Sequence, residues 1–410
     1  MKRVTIFLLH IWMYIINYAM KPILWGLAFT FNVRFKNLHV LYTTRPPYLM
    51  LPNHVNQWDP FLLSLATPTP IRWLASDAAF RSGVKWLLYA YGAIPKVKGQ
   101  SDMVSLQHLK EAMAVREVGG IFPEGNQNWD GRTGPLIPAT AKLVRFMKVP
   151  VVVPLFKGGY LSKPRWAWSK RRCRIEVHFR RIIDAKEIKT LKLAEIERRI
   201  EEALTYDEYE WQDGTRVPMR SEKRAENLEL AHWACPSCET IGRLTSEGNT
   251  LSCVCGYTVG VDRYGFFEYP DSGPSFAHPA DWIKWQENFL TARFREILGD
   301  SSSGGDADPV LLQDAEVTLM KGERAMPMLP ALHGEARLYR DRIEVGEGRR
   351  GRTFPLKEIT AVNTFKQQKF EFRFERAQYR FRFSSRSTSG FKWETAFKVL
   401  RDILVDRGEW

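Results

Sequence analysis

Short apolar runs alternate with stretches of helical periodicity from residue 33 to about residue 215, and this alternation limits the fold more than any other feature of the chain. The predicted strands are 48–51, 71–75, 119–122, 149–155 and 174–180, and the predicted helices are 60–66, 80–91, 102–117, 138–147 and 192–204. Strands and helices that alternate along a chain are typical of an α/β sheet domain. The sequence therefore predicts an α/β domain over residues 33–220.

The charge of the chain is distributed unevenly. The 410 residues are too many for one ordinary core, so we expect two or three domains. The net charge is +14, and residues 1–220 hold 33 Lys or Arg against 18 acids, whereas residues 221–410 hold 27 against 28. The basic excess of the first half predicts an anionic partner, which could be a lipid surface, a phosphorylated substrate or nucleic acid.

The first thirty residues are apolar after a basic start and are interrupted at Pro22. No small-residue cleavage site follows, which disfavours a signal peptide. About 20 apolar residues are needed to cross a bilayer, so each segment is marginal as a span. We expect a pair of membrane-associated helices over 1–32 that lies at the interface, and the alternative is one transmembrane helix over 4–20. The aromatic residues expected at headgroup depth are Trp12, Tyr14, Tyr18 and Trp25.

The second half of the chain divides into four further segments by composition and periodicity. The predicted segments are a cysteine-containing module at 232–268, an amphipathic helix at 280–298, a flexible linker at 299–309 and a β-rich domain at 310–410. In the last segment, aromatic residues alternate over 370–374 and again over 379–383, which predicts strands that bury one face.

The stretch LPNHVNQWD at 51–59 joins a predicted strand to a predicted helix. Ligands of open α/β sheets bind at the carboxyl ends of strands, so His54 is a candidate general base. Asp59, followed by Pro60, has two possible roles. It is either the N-cap of the helix or the acid that orients the imidazole and stabilises its charged form.

Four segments occur in order, namely NHVNQWD at 53–59, GAIPKVK at 92–98, FPEG at 122–125 and VPVVVP at 149–154. Together they resemble the glycerolipid acyltransferase family, typified by bacterial 1-acylglycerol-3-phosphate O-acyltransferases, over roughly residues 1–210. The resemblance implies transfer of a fatty acyl group from acyl-CoA or acyl carrier protein to a glycerol hydroxyl of a lysophospholipid at a membrane surface. It favours His54 as base and Asp59 as orienting acid, with no catalytic metal.

The resemblance also implies a set of substrate contacts. Glu124 and Gly125 belong to FPEG, the motif that contacts the acceptor glycerol in the family, and a solvated turn acid is the alternative for Glu124. Asn126 follows directly and is expected to shape the same loop. The expected acceptor is 1-acylglycerol-3-phosphate.

The phosphate contacts depart from the family pattern. Lys96 and Lys98 lie in the matching segment, where an arginine is usual at position 98, and lysine supplies charge without a bidentate fork. Gln127 stands where the family commonly has arginine, so we expect Arg132 to supply that charge, unless it is a surface turn residue. These departures leave another lyso-acceptor, or a catalytically weak interaction scaffold, as alternatives.

A basic run with interleaved tryptophans, KPRWAWSKRRCR, lies within 157–181. Tryptophan rings among cations suit a headgroup layer, which predicts an anionic membrane surface as a partner. A solvated basic loop is the alternative. Nucleic acid is not expected, because no nucleic-acid motif accompanies the run.

Four of the five cysteines form two close pairs, Cys235 with Cys238 and Cys253 with Cys255. Two thiol pairs can complete a tetrahedral site around a structural zinc ion, and the module resembles a zinc ribbon. The alternative is four free thiols. Metal ligation suits a reducing compartment, so we expect the protein at the cytoplasmic face of the cell membrane. The last hundred residues, strands followed by one helix, resemble the pleckstrin-homology-like superfold by pattern only, with a generic β domain as the alternative.

Overall fold

The computed structural model describes residues 2–81, 85–96, 102–270, 272–300, 308–323, 327–348 and 351–410. The chain divides into two compact units. The first comprises residues 1–165 with 170–221, and the second comprises residues 166–169 with 222–410.

The first unit contains seven strands and nine helices within the described ranges. The strands are β1 (Val33–Lys36), β2 (Leu49–Met50), β3 (Ile71–Ser76), β4 (Ile94–Lys96), β5 (Val118–Gly120), β6 (Val151–Lys157) and β7 (Ile175–Ile183). The helices are α1 (Lys2–Thr30), α2 (His39–Thr43), α3 (Asp59–Ala66), α4 (Lys85–Ala90), α5 (Met103–Ala114), α6 (Ala139–Met147), α7 (Gly159–Ser162), α8 (Leu193–Leu204) and α9 (Glu208–Thr215).

The seven strands form one mixed sheet in the order β1-β7-β6-β2-β5-β3-β4. Strands β6, β2, β5, β3 and β4 run parallel, and β7 is antiparallel to β6 while β1 is parallel to β7. The predicted α/β domain is thereby confirmed. Strands β1 and β4 were not expected from the sequence, because they are only four and three residues long and β4 contains Pro95.

Both faces of this sheet are buried, which explains why its strands read as continuous apolar runs. Successive side chains of a strand point to opposite faces. Met50 and Val152 therefore enter one core with Leu62 of α3, and Leu49 and Val151 enter a second core with helices α5, α6 and α8. Strand β2 is covered on both sides, so the loop that follows it starts from a fixed position.

The N-terminal segment forms one continuous helix, α1, so the predicted helix pair over 1–32 is wrong. Pro22 lies inside the helix. Proline removes one intrahelical hydrogen bond, and packing against the sheet domain compensates for it here, because Met13, Asn17, Leu24 and Ala28 are all buried. None of the described helices combines the length and the apolar character needed to cross a bilayer.

The other side of α1 exposes an unusual number of large apolar side chains. More than two fifths of the surface of each of these side chains is accessible, and they are Leu8, Ile11, Trp12, Ile15, Tyr18, Ile23, Trp25 and Phe29. Most of them recur every three or four residues and so lie on one side of the helix. Of the four aromatic residues predicted at headgroup depth, Trp12, Tyr18 and Trp25 are exposed and Tyr14 is half-buried.

The second unit contains two antiparallel sheets and two long helices within its described residues. The smaller sheet has the order β11-β10-β9-β8 and comprises β8 (Leu244–Glu247), β9 (Thr250–Cys253), β10 (Thr258–Val261) and β11 (Phe267–Glu268). Helix α10 (Pro279–Asp300) follows, which confirms a helix where 280–298 was predicted.

The larger sheet has seven strands in the order β15-β14-β13-β12-β18-β17-β16, and helix α11 (Gly390–Asp406) packs on β16 and β17. The strands are β12 (Leu312–Gly322), β13 (Leu329–Leu338), β14 (Arg342–Val345), β15 (Arg352–Pro355), β16 (Thr360–Phe365), β17 (Lys369–Phe374) and β18 (Ala377–Phe383). The predicted β-rich C-terminal region is confirmed. Its longest strand, β12, was not predicted from the sequence, because polar and apolar residues alternate only weakly in the first half of this strand.

Candidate active site

The loop that carries His54 follows the short strand β2 and is fastened to strand β6. The side chain of Asn53 donates to the carbonyl of Phe156 at 3.0 Å and accepts from the backbone N–H of Phe156 at 2.8 Å. Asn53 is buried, and its amide continues the pairing of the two strands where backbone pairing ends. The amide therefore fixes the residue that precedes His54.

The carboxylate of Asp59 gathers three donors on one oxygen. Its Oδ2 accepts from the backbone N–H groups of Val55 and Asn56, both at 2.9 Å, and lies 3.0 Å from Nδ1 of His54. Asp59 is the first residue of α3 and makes no cap for that helix, whose N-cap is Trp58. Of the two roles left open by the sequence, the N-cap is wrong, because the side chain turns back toward the loop that precedes the helix.

These contacts determine which nitrogen of the imidazole carries a proton when His54 is neutral. Because the backbone can only donate to Asp59 Oδ2, that oxygen is an acceptor, and His54 Nδ1 donates to it. Nε2 then keeps its lone pair, and it makes no hydrogen bond within the described part of the chain. The His54 side chain is 20% exposed while that of Asp59 is fully buried, so the imidazole faces outward and its partner is shielded from water.

One face of the imidazole is covered by a stack of aromatic rings. His54 stacks on Phe122 with 4.1 Å between ring centroids, and Phe122 stacks in turn on Trp73 at 4.9 Å. Gly120 makes this possible, because a Cβ atom there would lie only 2.4 Å from the ring of Trp73. The stack fixes the plane of the imidazole that Asp59 already holds by one nitrogen.

Glu124 joins the His54 loop to the segment that follows FPEG. One oxygen of its carboxylate accepts from the backbone N–H of His54 at 2.8 Å, and the other accepts from that of Gly134 at 2.9 Å. Gly125 has a φ of +68°, a conformation that favours glycine. Glu124 is thus placed as a brace for the backbone at His54, and each oxygen keeps a second lone pair for a ligand.

Burial acts on both acids of the site. It raises the pKa of Glu124 to about 7, and the hydrogen bonds from Gly134 and His54 lower it only in part. Burial likewise raises the pKa of Asp59, while the hydrogen bond and charge of His54 and the two backbone N–H groups act in the opposite direction. With three donors on Asp59 Oδ2, the bonding pattern is that of an ionised carboxylate.

Lys96 and Arg132, two of the predicted phosphate contacts, lie on different elements of the first unit. Lys96 ends β4, the outermost strand on one side of the sheet, and is half-buried. Lys98 lies outside the described residues. Asn126 is half-buried in the loop that follows Gly125.

Arg132 is engaged within the protein itself. Its Nε donates to Asp207 Oδ2 at 2.6 Å, and its backbone pairs with that residue in an isolated bridge. Its charge is therefore partly balanced within the protein, and its role as the replacement for the arginine that Gln127 lacks stays a prediction. The carbonyl of Gln127 accepts from the guanidinium of Arg165, whose Cζ lies 4.6 Å from the centroid of the Trp129 ring.

Two residues of the site were not expected from the sequence. Asn53 gave a weak signal, because an amide directly after an apolar strand needs a partner. Glu208 gave none: its two oxygens accept from the backbone N–H groups of Gly158 and Leu161, both at 3.1 Å, and so hold the turn after β6 beside Val55.

The four paired cysteines of the second unit converge. Their sulfur atoms all lie within 4.8 Å of one another, with 3.7 Å between Cys235 and Cys255 and 3.7 Å between Cys238 and Cys253. Each short distance joins one thiol of the first pair to one thiol of the second. The spacing of the sequence pairs thus becomes one cluster in space.

A family model described as "Acyltransferase" matches residues 32–156, the segment that contains the His54 loop, the aromatic stack and Glu124. This segment is therefore an acyltransferase domain. The predicted family and the predicted class of enzyme, an O-acyltransferase, are confirmed by this match. Glycerolipid acyl transfer in general follows from the family, whereas the acceptor and the roles of single residues stay predictions.

The solved structures that are similar to parts of the chain include two that differ in the share of the chain they cover. One is the 1-acyl-sn-glycerophosphate (LPA) acyltransferase PlsC from Thermotoga maritima, with 16% identity, a TM-score of 0.36, and coverage of 50% of this chain and 96% of that one. The other is the Vps36 N-terminal PH domain, with 19% identity, a TM-score of 0.20, and coverage of 25% and 86%. No curated protein matches the chain.

Proposed function

We propose that the protein transfers a fatty acyl group from acyl-CoA or acyl carrier protein to the free glycerol hydroxyl of a lysophospholipid, with 1-acylglycerol-3-phosphate as the first candidate. The observation that carries this proposal is the state of His54. Its Nδ1 is held by a buried acid, and its Nε2 is left with a lone pair at a partly exposed position. That combination is what a general base requires.

In the proposed reaction, Nε2 of His54 removes the proton of the glycerol hydroxyl as the oxygen attacks the thioester carbonyl. The imidazolium that forms is stabilised by Asp59, whose charge lies 3.0 Å from Nδ1. When the tetrahedral intermediate collapses, the carbon–sulfur bond breaks, and the leaving thiolate takes the proton from Nε2. The histidine ends neutral and the products are an ester and a free thiol, so no acyl-enzyme is needed.

Glu124 acts in this proposal as a positioning residue. It accepts the backbone N–H of His54 and so fixes the backbone of the loop, while Asp59 holds the imidazole. The aromatic stack of Phe122 and Trp73 adds an apolar wall. Lys96 and Lys98 remain candidates for the acceptor phosphate, but Gln127 leaves the headgroup open, and another lyso-acceptor is the alternative.

The mechanism is tested by His54→Ala in the full-length protein, assayed with an acyl-CoA and lysophosphatidate. We expect kcat to fall by about 10²–10⁴-fold, the usual contribution of a positioned general base, while association with vesicles is unchanged. His39→Ala is the matched control, because His39 is exposed at the start of α2. Near-normal turnover by the His54 variant would rule the mechanism out, whereas a wild type without measurable turnover would favour the interaction scaffold.

We further propose that the cysteine cluster holds a structural zinc ion. Zinc bound tetrahedrally by four thiolates at about 2.3 Å places its sulfur atoms about 3.8 Å apart. The two measured distances of 3.7 Å fit this geometry and are far longer than a disulfide bond. Four thiolates would fill the coordination shell, so the metal would stabilise the module of β8 to β11 as a zinc ribbon and would have no catalytic role.

The remaining proposals concern location and partners. The exposed apolar side of α1 supports an interfacial position on an anionic membrane, and the thiol cluster supports the cytoplasmic face. The seven-stranded sheet with its terminal helix α11 supports a pleckstrin-homology-like module that binds lipid or protein. We propose no nucleic-acid partner.

A further inference from the structure

A cavity of about 310 Å³ in the first unit is unusually rich in arginine. Five of its ten lining residues are arginines, and none of the ten is acidic. The five are Arg34, Arg172, Arg174, Arg216 and Arg220. None of the residues that hold His54 lines this cavity, so it is distinct from the candidate active site.

The arginines come from three separate segments that the fold fastens together. Arg172 and Arg220 exchange backbone hydrogen bonds of 2.9 and 3.3 Å in an antiparallel bridge. Arg34 lies on β1. The first residue of β1, Val33, pairs with Ile175, which begins β7 and lies two positions after Cys173. The cluster is therefore set by backbone pairing and is not a chance meeting of flexible side chains.

The positive charge of the cluster is only partly balanced. Arg174 lies 3.1 Å from Glu176, and Arg216 lies 3.4 Å from Asp213. Arg34, Arg172 and Arg220 form no ion pair with any described residue. Three uncompensated guanidinium groups around one cavity repel one another, and a bound anion would relieve that repulsion.

The chemistry of the cluster points to phosphate. The guanidinium group presents N–H donors in a planar fork that matches two phosphate oxygens, and arginine is the preferred residue for such recognition. Several guanidinium groups from different segments can together bind one phosphate group that has several free oxygens. A cavity open to solvent at exposed arginines also suits a ligand that arrives from outside.

The apolar side of α1 indicates where that phosphate comes from. The guanidinium of Arg172 lies 5.7 Å from the centroid of the Phe29 ring, which is 75% exposed, and Trp25, one turn earlier, is 62% exposed. Aromatic side chains next to cations are typical of protein segments at the headgroup layer. A phosphate bound in the cavity would thus lie beside the residues that face the lipid.

We infer that this cavity binds the phosphate headgroup of an anionic membrane lipid and so docks the acyltransferase unit on the bilayer. The inference rests on the membrane association proposed above, and it adds a discrete lipid site to it. Strand β7 begins where β6 ends, and the turn after β6 contacts Val55 beside His54. A lipid held there would place the active-site edge of the sheet close to the membrane that contains the acceptor.

The experiment compares the sedimentation of full-length protein with two kinds of vesicle, phosphatidylcholine alone and phosphatidylcholine with about one third phosphatidylglycerol. The double variant Arg172→Gln/Arg220→Gln removes two unpaired arginines of the cavity. We expect about 30-fold weaker binding to the anionic vesicles, since a basic residue at such a surface contributes about fivefold, and no change on the neutral ones.

Two further variants separate a built site from diffuse charge. Arg45→Gln/Arg180→Gln removes the same charge from two exposed arginines that do not line the cavity, and we expect a loss of less than about fivefold. Arg172→Lys/Arg220→Lys keeps the charge but not the fork, and we expect it to bind several-fold more weakly than the wild type. Circular dichroism and turnover on a short-chain soluble acceptor verify that all variants are folded.

The outcomes separate this inference from the proposed function. If the wild type binds anionic vesicles and the cavity variant matches the Arg45/Arg180 control, or the lysine variant matches the wild type, the lipid site is overturned while acyl transfer stands. If the cavity variant loses affinity for coenzyme A and keeps its affinity for vesicles, the phosphate belongs to the acyl donor and the inference is wrong. If the wild type binds neither vesicle, membrane association fails as well, whatever the result for His54→Ala.

Discussion

The loop around His54 and the cluster of four cysteines are both built from residues that the sequence groups closely, and they differ in what they leave unsatisfied. In the loop, two backbone N–H groups hold the acid that pairs with His54, an aromatic ring stacks on the imidazole, and the second imidazole nitrogen makes no hydrogen bond to any described residue. In the cluster, the four sulfur atoms face one another. A rigid frame with one open group suits catalysis, whereas a closed set of donors suits a structural ion.

The largest expected effect tests the open site. Asp59→Asn keeps the size of the side chain but removes the charge that would stabilise the imidazolium and the acceptor that selects the tautomer. We expect kcat to fall by about 10³–10⁴-fold with little change in KM, as measured with saturating acyl-CoA. Asp184→Asn is a matched control, because Asp184 is half-exposed after β7. A fall of less than tenfold would show that Asp59 only shapes the loop.

The second prediction tests the closed site. Cys238→Ser removes one of four ligands, so the module of β8 to β11 should lose its metal and unfold, because binding of the ion supplies much of the folding energy of so small a unit. Zinc content measured by mass spectrometry should fall from one ion per chain to none, while acyl transfer to a soluble acceptor persists. Ser237→Ala, in the same turn, should retain the metal. Wild-type protein purified without zinc would contradict the proposal.

The smallest expected effect concerns Glu208, a buried carboxylate that, like Asp59, accepts backbone N–H groups near the end of a strand. Glu208 also accepts two backbone N–H groups, but it has no imidazole partner, and burial raises its pKa to about 7. Between about pH 4.5 and pH 7 the folded protein therefore binds a proton that the unfolded chain has released, so the free energy of unfolding decreases as pH rises across this window.

Glu208→Gln removes that proton exchange, so its urea-unfolding free energy should vary less with pH than that of the wild type, by up to about 1.4 kcal/mol per pH unit. Above pH 7 both states of the wild type are ionised and the two pH profiles should run parallel. Parallel profiles throughout the acid window would mean that Glu208 is ionised in both states.

Much of the fold could be predicted because its strands are buried on both faces and its helices are amphipathic. Five of the seven strands of the first unit and helix α10 of the second lie where periodicity placed them. Strands β1 and β4 could not be found in this way, because their pairing partners, and not their own composition, make them strands. The break at Pro22 misled the prediction for α1, since a helix packed along one side tolerates the loss of one hydrogen bond.

The candidate site could be predicted only in part, and the reason is sequence distance. His54 and Asp59 are five residues apart, and their pairing follows from one short loop. Glu124 reaches the same loop from 70 residues away, and its contact with the backbone N–H of His54 has no signature in the sequence. Arg132 was expected to bind a phosphate, but the structure pairs it with Asp207, which is 75 residues away in the sequence.

The sequence by itself therefore determined the α/β class, the His54–Asp59 pair and the four cysteines, because each depends on residues within a few turns of one another. The tertiary structure alone decided that Asp59 turns away from its own helix, that Glu124 braces the backbone at His54, and that arginines from three segments surround one cavity. Such arrangements depend on which strands pair and on which buried polar groups must find partners, and no local pattern encodes that choice.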